Sequence, residues 1–235
     1  MLLTLRPLPV GGRDLWQIAS KRFAWRRRHF LMKFILAKKE GMTRIYTEDG
    51  RALAGTVLKT EPVFVTQVKA KDGKDKYSAV QVGFGTRKAS RVGKAVLGHT
   101  KGKGYKAIRE FRTDEPLEVG SQIAVDTFAV GDTVQVSGLT KGHGFAGVVK
   151  RHGFHGGPRT HGQKHSEREA GSIGGSGGRA GGRVAKNIKM AGRMGQDRVT
   201  VKNLKVLAVD LAANEIIVSG AVPGARGTLL EVVSE

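Results

Sequence analysis

The 235-residue sequence predicts a mainly β protein: a small closed β-barrel with a basic, partly helical insertion and a long glycine-rich extended loop. About eight short runs of strand-forming residues recur along the chain, and tight-turn residues join them, which is typical of small barrels. Two stretches, 84–112 and 138–195, lose the apolar alternation and gain lysine, arginine and glycine. We therefore predict one barrel domain over 32–235 with insertions at those two places.

The first strands are predicted at 33–38, 43–47 and 52–59. Glu40-Gly41 and Glu48-Asp49-Gly50 lie between them, and residues of these types favour turns. The next two runs, 63–69 and 77–82, alternate apolar and polar residues on either side of an Asp-Gly pair. This arrangement predicts a β-hairpin.

The alternation fails over 84–112, where we predict a basic excursion with some helix. Strands resume at 122–127, and 128–136 predicts a β-turn followed by a strand that leads into the glycine-rich loop. After that loop, strands are predicted at 198–209, 215–219 and 228–233, joined by Asn214 and by Pro223-Gly224. The loop is thus expected to leave one barrel strand and return to another.

Residues 1–31 form a basic N-terminal tail with a single acid, Asp14. Arg26, Arg27 and Arg28 close the tail, whereas a secretory signal carries its charges first. An organellar presequence fits only in part, because serine is scarce. We interpret the tail as the product of a start assigned too far upstream, with Met32 as the natural first residue.

The net charge of +21 points to nucleic acid as the partner. No amphipathic helix of sufficient length accompanies the charge, and no apolar run reaches the roughly 18 residues of a membrane span. The sequence has no cysteine, so disulfides and thiolate metal sites are excluded. No Ser-His-Asp or paired-carboxylate arrangement stands out among the acids, and we expect neither a cofactor nor a small-molecule substrate.

The stretch 138–195 holds 17 of the 34 glycines, 5 of the 7 histidines and 11 lysines and arginines, against only two acids. Between residues 151 and 183 the only large apolar side chains are Phe154 and Ile173. Burying both would stabilise the stretch by about 3–6 kcal/mol, while fixing its backbone costs on the order of 30–60 kcal/mol. The stretch is therefore not expected to order itself.

Folded RNA is the partner that offers many phosphates along an irregular surface. Lysine, arginine and histidine supply charge and donors, and glycine lets the backbone approach closely. A solvated linker remains the plain alternative. The candidate RNA-binding residues are Lys141, His143, Lys150, Arg151, His152, Phe154, His155, Arg159, His161, Lys164, His165, Arg168, Arg179, Arg183, Lys186, Lys189 and Arg193.

Two motifs suggest other chemistry. Residues 142–147 match G-x-G-x-x-G after a predicted strand and before a helix-like run at 145–152, which suggests a dinucleotide site, but no acid follows at the expected spacing. His161 and His165 have the spacing of zinc ligands on a helix, but the surrounding glycines and Pro158 disfavour a helix. RNA-facing imidazoles are the better interpretation, and we expect no metal.

Many short motifs resemble the third protein of the large ribosomal subunit, bacterial type, from Met32 to the C-terminus. They include Val65-Thr-Gln-Val68, Ala79-Val-Gln-Val-Gly-Phe-Gly85, Leu97-Gly-His99, Lys141-Gly-His-Gly-Phe-Ala-Gly147, Arg151-His-Gly-Phe154, Gly171-Ser-Ile-Gly174, Arg198-Val-Thr-Val201 and Gly220-Ala-Val-Pro-Gly224.

The resemblance implies a non-enzymatic protein of the cytoplasmic ribosome that supports early assembly of the large subunit. Its partners would be large-subunit ribosomal RNA and neighbouring ribosomal proteins, with no membrane. It also implies that the loop runs towards the peptidyl-transferase centre, with Ser172, Gly174, Gly175 and Ser176 near its tip. An enzyme with a nucleotide site at 142–147, or an RNA chaperone acting outside the ribosome, are the competing functions.

The sequence departs from the family pattern near that tip. Gly175 stands where many bacterial members carry a glutamine that is methylated, and Ala170 replaces a common proline. Ala185 stands where an aromatic residue usually follows the valine. These departures affect the modification and the conformation of the tip, not the family.

Overall fold

The structure is a computed structural model that describes residues 32–73, 75–113, 117–174 and 184–234. Its strands in chain order are β1 Phe34–Tyr46, β2 Ala52–Thr60, β3 Val63–Lys69, β4 Ala79–Thr86, β5 Tyr105–Phe111, β6 Gln122–Ile123, β7 Thr133–Leu139, β8 Phe145–Ala146, β9 Gly192–Arg193, β10 Arg198–Asp210, β11 Glu215–Ser219 and β12 Leu229–Ser234. Two short helices are α1 Lys94–His99 and α2 Val148–His152. The prediction of a mainly β protein is confirmed. The predicted tail 1–31 lies outside the described residues.

Six strands hydrogen-bond in a closed ring, in the order β1, β12, β7, β10, β11, β2 and back to β1. Every pairing in the ring is antiparallel. The alternation of apolar and polar residues fits this ring, because β7, β11 and β12 each bury every second side chain and so turn one face towards a common interior. Gly138 leaves room for the fully buried Leu230, because a Cβ there would collide with its Cδ2.

A second sheet has the strand order β5-β4-β3-β6. The predicted hairpin is confirmed, since β3 pairs antiparallel with β4 across the turn after Lys69. The two sheets share one hydrophobic core, and the rings of Phe34 and Phe111 stack across it with centroids 4.5 Å apart. Within the described residues, no helix has the length and apolar composition that crossing a bilayer requires.

The predicted turn at Glu40-Gly41 is wrong, because β1 runs through it as one strand with an irregular register between Lys39 and Gly41. The backbone of Lys39 is held from outside the strand. Its N–H donates to the carbonyl of Thr228 (3.0 Å), and its own carbonyl accepts from the N–H of Gly227 (2.7 Å). Tertiary pairing therefore replaces the local turn by a β-bulge.

Two further boundaries differ from the sequence predictions. The end of the predicted basic excursion is strand β5, which pairs with β4 and carries charged residues because it is the edge of its sheet. The strand predicted at 122–127 is only β6 followed by the 3-10 turn Val125–Thr127, where the Thr127 hydroxyl donates to the Ala124 carbonyl (3.0 Å).

Candidate nucleic-acid interface

The residues predicted to bind RNA lie on a segment, 138–195, that leaves the ring at β7 and rejoins it at β10. These two strands are antiparallel neighbours, with Leu139 opposite Arg198. Beyond the ring the chains remain paired: the His143 N–H donates to the Met194 carbonyl (2.9 Å), and the Met194 N–H donates to the Gly144 carbonyl (2.9 Å). Strands β8 and β9 continue this ladder. We call residues 138–195 the basic segment and its paired part, 140–147 with 192–197, the stem.

A glycine is required where the two chains of the stem approach each other most closely. Gly195 has φ +82°, and a Cβ on it would collide with the Lys141 carbonyl oxygen and lie 3.0 Å from the Gly142 Cα. An L-residue at this position would be strained by the positive φ as well as by the lack of space. Gly147 differs, because its φ is −68° and nothing lies within 4 Å of the position of its Cβ.

Helix α2 is attached by two basic side chains to Met190, just before the returning chain of the stem. The Arg151 Nη1 donates to the Met190 carbonyl (2.8 Å), and the His152 Nε2 lies 3.0 Å from the same oxygen. Ala146 and Val148, which precede these two residues in the chain, are buried. The helix ends at Gly153, whose φ of +73° is the left-handed conformation common after a helix C-terminus.

The part of the segment beyond α2, residues 153–174, is held by contacts within itself, and we call it the distal loop. The Gly157 N–H donates to the Ser166 carbonyl (3.0 Å), and a Cβ on Gly156 would collide with the Glu167 carbonyl. The Arg159 guanidinium donates to the Glu167 carboxylate through Nε (3.0 Å) and Nη2 (2.6 Å). An open cavity of about 440 Å³ lies beside the paired residues Gly157 and Ser166, with Phe154 and His155 in its wall.

Little of the described part of the basic segment is removed from solvent. No described residue between 149 and 203 is buried. Phe154 is half-buried, and Ile173 is exposed. This distribution agrees with the sequence argument that the segment has too few apolar side chains to form a core of its own.

Positive charge on the segment is almost uncompensated within the described residues. Its described lysines and arginines, all exposed, are Lys141, Lys150, Arg151, Arg159, Lys164, Arg168, Lys186, Lys189 and Arg193. In that part of the chain only Arg159 among them forms an ion pair, with Glu167. Arg193 donates to the Gln196 side-chain oxygen, which carries no charge. Eight cations therefore face solvent without a neighbouring carboxylate bound to them.

The structure brings five predicted residues together in one groove. Its cavity has a volume of about 510 Å³, and Asp197 is the one acid in its wall; its basic lining residues are Lys141, His143, Arg151, His152 and Arg193. These residues come from both chains of the stem and from α2, about 50 positions apart in sequence. We call this cavity the stem groove.

Other predicted residues are placed separately. His155, Arg159, His161, Lys164, His165 and Arg168 lie on the exposed distal loop. At the predicted tip, the Gly174 N–H donates to the Ser172 hydroxyl (3.2 Å), and Gly174 has φ +81°. Gly175, Ser176, Arg179 and Arg183 lie outside the described residues.

Two residues at this interface were not found by sequence reasoning. Phe145, opposite Arg193 in the stem, is 80% exposed, although it alternates with the buried Ala146. Lys39 lies at the foot of the stem, where its Nζ donates to the carbonyls of Val222 (2.8 Å) and Gly224 (3.0 Å). Burial, together with the nearby charge of Lys141, lowers the pKa of Lys39. Only the local alternation at Phe145 could have been found in the sequence.

The geometry does not favour the two competing sites. Helix α2 after the glycine motif is five residues long, and the described strands pair only antiparallel, whereas a dinucleotide fold needs a parallel βαβ unit. His161 has φ +59°, so the two histidines of the zinc hypothesis do not share a helix face. The described residues contain no group of three or more histidine or acidic side chains that could hold a metal ion.

Comparison with known proteins identifies relatives over most of the chain. A family model described as ribosomal protein L3 matches residues 5–219. The large ribosomal subunit protein uL3 of Herpetosiphon aurantiacus is 49% identical over 206 residues, which cover 86% of this chain and 96% of that protein. The uL3 proteins of Carboxydothermus hydrogenoformans and Corynebacterium aurimucosum are 47% and 44% identical, over 84% and 86% of this chain and 95% and 93% of their own lengths.

Proposed function

We propose, from the premise that the chain belongs to the ribosomal protein L3 family, that it is a structural component of the large ribosomal subunit and binds that subunit's RNA. The family is structural, so the chain is not an enzyme, and its place is the ribosome, which is cytoplasmic in bacteria. The observation that supports RNA binding most directly is the basic segment, with eight exposed cations that no carboxylate of the described residues pairs with.

Within this proposal the ring is the β-barrel of the family, and the basic segment is the extension that enters the RNA. Lysine and arginine side chains neutralise phosphates, because a charge-assisted contact to a phosphate oxygen is strong when water is excluded. The stem groove offers three of these groups and two imidazoles within one cavity. It fits a bend of the phosphate backbone better than an extended duplex, since its cations come from three chain segments.

We assign base contacts to two aromatic side chains, the exposed Phe145 and the half-buried Phe154. Phe145 lies opposite Arg193, and Phe154 shares a cavity wall with His155. An unpaired base stacks on such a ring with about 1–3 kcal/mol of stabilisation. The distal loop extends towards the peptidyl-transferase centre in this proposal, with Ser172 and Gly174 near its tip. Binding of this kind early in assembly would fix the RNA fold around the segment.

The test is equilibrium binding of the protein to a large-subunit RNA transcript over a series of salt concentrations. If about six side chains neutralise phosphates, the slope of log K against log salt is roughly −4 to −5. The triple variant Lys141→Gln, Lys150→Gln, Lys189→Gln should reduce the magnitude of that slope by about 2–3, because each lost phosphate contact removes nearly one unit.

The matched control removes the same charge elsewhere, with Lys59→Gln, Lys202→Gln and Lys205→Gln, all exposed on the ring. Its slope should change by less than one unit. Equal effects of the two triple variants would show that net charge alone drives binding and would contradict the assignment to the basic segment. Co-sedimentation with large subunits in high salt separates a subunit component from an RNA chaperone, since only the former remains bound.

A further inference from the structure

A second basic surface lies on the four-stranded sheet, outside the basic segment. Residues 87–104 leave β4 and return to β5, and their ends are tied together: the Arg87 N–H donates to the Gly104 carbonyl (3.0 Å). A Cβ on Gly104 would collide with the Arg87 carbonyl, so glycine permits this closure. We call residues 87–104 the sheet loop.

The sheet loop is internally fixed. It contains the 3-10 turn Ala89–Arg91 and helix α1. The buried Thr100 donates its hydroxyl to the Val96 carbonyl (2.9 Å), and the Gly102 N–H donates to the Leu97 carbonyl (2.8 Å). Its charged side chains are therefore carried on a backbone that is set before any partner binds, which lowers the entropic cost of binding.

The loop carries six exposed cations, and the sequence has no acid from residue 76 to residue 109. The cations are Arg87, Lys88, Arg91, Lys94, Lys101 and Lys103. None of them forms an ion pair within the described residues. Lys106, just beyond the loop, does have an acidic neighbour, because its charge is one of the factors that lower the pKa of Glu61, after the hydrogen bond from Lys38.

An open cleft lies between this loop and the sheet. It has a volume of about 390 Å³ and is lined by Phe64, Thr86, Arg87, Lys103, Gly104 and Tyr105. The Tyr105 ring lies on the backbone of Gly83, where a Cβ would be 2.6 Å from the ring Cγ. The ring is thereby fixed in orientation. Burial raises the pKa of the Tyr105 hydroxyl, so this group remains a donor, and no described residue accepts its hydrogen bond.

We propose that this cleft binds a nucleobase of ribosomal RNA, which stacks on Phe64 or Tyr105 while the sheet loop binds the flanking phosphates. Two aromatic rings beside Arg87 and Lys103 match an unstacked nucleotide, which offers a planar base and an anion together. An acidic protein segment would satisfy the cations but would leave the aromatic rings without a stacking partner. The inference rests on the proposed function, because it assigns a second contact to the same RNA.

The affinity test uses three triple variants of the full chain in the salt series described above. The sheet-loop variant is Arg87→Gln, Lys101→Gln, Lys103→Gln, and its slope should fall by about 2–3. The other two are the basic-segment variant and the ring control. If the basic-segment variant alone loses affinity, this inference is overturned while the proposed function stands. If all three match the unaltered protein, the proposed function itself fails.

The stacking test is ultraviolet cross-linking of reconstituted large subunits, followed by mass spectrometry of peptides. A nucleotide adduct is expected on the ring that the base contacts, Phe64 or Tyr105. Removing that ring, by Phe64→Leu or by Tyr105→Leu, should reduce the adduct yield at least several-fold, whereas Tyr105→Phe keeps both rings and should retain it. Thermal melting of each free variant checks that it is folded. Subunits with adducts at Phe145 or Phe154 and none at the cleft would overturn the inference. The inference would also be overturned if the sheet loop cross-linked to a neighbouring protein and the sheet-loop variant bound RNA with unchanged affinity.

Discussion

The ring and the basic segment distribute their apolar side chains in opposite ways. Leu58, Val136, Ile216 and Val232 of the ring are fully buried, whereas no described residue of the segment beyond Val148 is buried. The ring obtains its stability from that core, since burial of apolar surface is the main driving force of folding. The described part of the segment has no comparable core. We infer that contacts with RNA stabilise the conformation of the segment, as the apolar core stabilises that of the ring.

The largest expected effect comes from deleting residues 154–183 and joining Gly153 to Val184 through a short glycine linker. Helix α2 and its contacts to Met190 are kept in this variant. Five lysines and arginines are lost, so the slope of log K for RNA against log salt should fall by about 3–4. Thermal unfolding should remain cooperative with a midpoint within a few degrees, because no described residue of the deleted part is buried.

Circular dichroism during heating and binding to the RNA transcript measure the two quantities on one preparation. A loss of cooperative unfolding would show that the segment contributes to the core, and the division between ring and segment would then be wrong. Unchanged RNA binding would remove the distal loop from the interface.

The next effect compares one large apolar side chain in each region. Leu230→Ala should lower the free energy of unfolding by about 2–5 kcal/mol, because Leu230 is fully buried between Ala37 and Gly138. Phe154→Ala should change it by less than about 0.5 kcal/mol, since Phe154 has no core around it. The same Phe154→Ala variant should weaken RNA binding by about 1–3 kcal/mol if its ring stacks on a base.

Urea titration of both variants measures the first difference, and RNA binding measures the second. The comparison between regions fails if the two alanine variants lose similar stability. It is sharpened if Phe154→Ala is silent in the free protein and costly in the complex.

Sequence reasoning succeeded where one local signal determines an element. The Asp72-Gly73 turn specified the β3–β4 hairpin, and the predicted strand 215–219 matches β11. It failed at Glu40-Gly41, because the pairing that straightens β1 comes from Gly227 and Thr228 almost 190 residues away. It also missed β5, whose charges are typical of an edge strand and concealed the alternation.

For the candidate site, composition selected the segment but not the arrangement. Lys141 and Arg193 were both predicted to bind RNA, yet nothing local indicates that they line one groove. Their proximity follows from the pairing of β7 with β10, which the stem continues outward. Phe145 was missed because its alternation with Ala146 covers only the two residues of β8, too short a run to predict a strand. Charge is visible residue by residue, whereas a groove is a property of the folded chain.

A smaller effect is expected in the stem. Gly195→Ala should strain the backbone by about 1–3 kcal/mol, because φ is +82° and the Lys141 carbonyl fills the space. We expect this strain to open the stem locally, so that the amides of His143 and Met194 lose protection from hydrogen exchange while those of β7 keep it.

Gly147→Ala is the matched control, since its φ is negative and the space around it is open. Its exchange pattern should resemble that of the unaltered protein. Suppose instead that the amide of His143 exchanges in Gly195→Ala as slowly as in the unaltered protein, or more slowly. The close approach of the two chains at Gly195 would then not be required to keep the stem paired. If protection fell throughout the ring as well, stem and ring would unfold as one unit.

The smallest effect concerns how each region treats its charges. The Asp132 carboxylate accepts hydrogen bonds from the Lys33 Nζ (2.8 Å) and the Ala129 N–H (3.0 Å), and these two contacts, the lysine first, lower the pKa of Asp132. A carboxyl group whose pKa is lower in the folded state stabilises the protein fully above its unfolded pKa of about 4, and this contribution is lost as the pH falls through the folded pKa. Asp132→Asn should therefore lower stability at pH 7 by about 1 kcal/mol or less, since the pair is partly exposed, and the difference from the unaltered protein should shrink below about pH 4.

Glu167→Gln removes the carboxylate that pairs with Arg159 on the basic segment and should leave stability unchanged at every pH, because no described residue around it is buried. Urea midpoints at pH 7, 5 and 3 measure both variants. A pH-dependent loss of stability in Glu167→Gln that equals the loss in Asp132→Asn would mean that ion pairs of the segment stabilise the fold as those of the ring do, and that its cations are less available to phosphate than their exposure indicates.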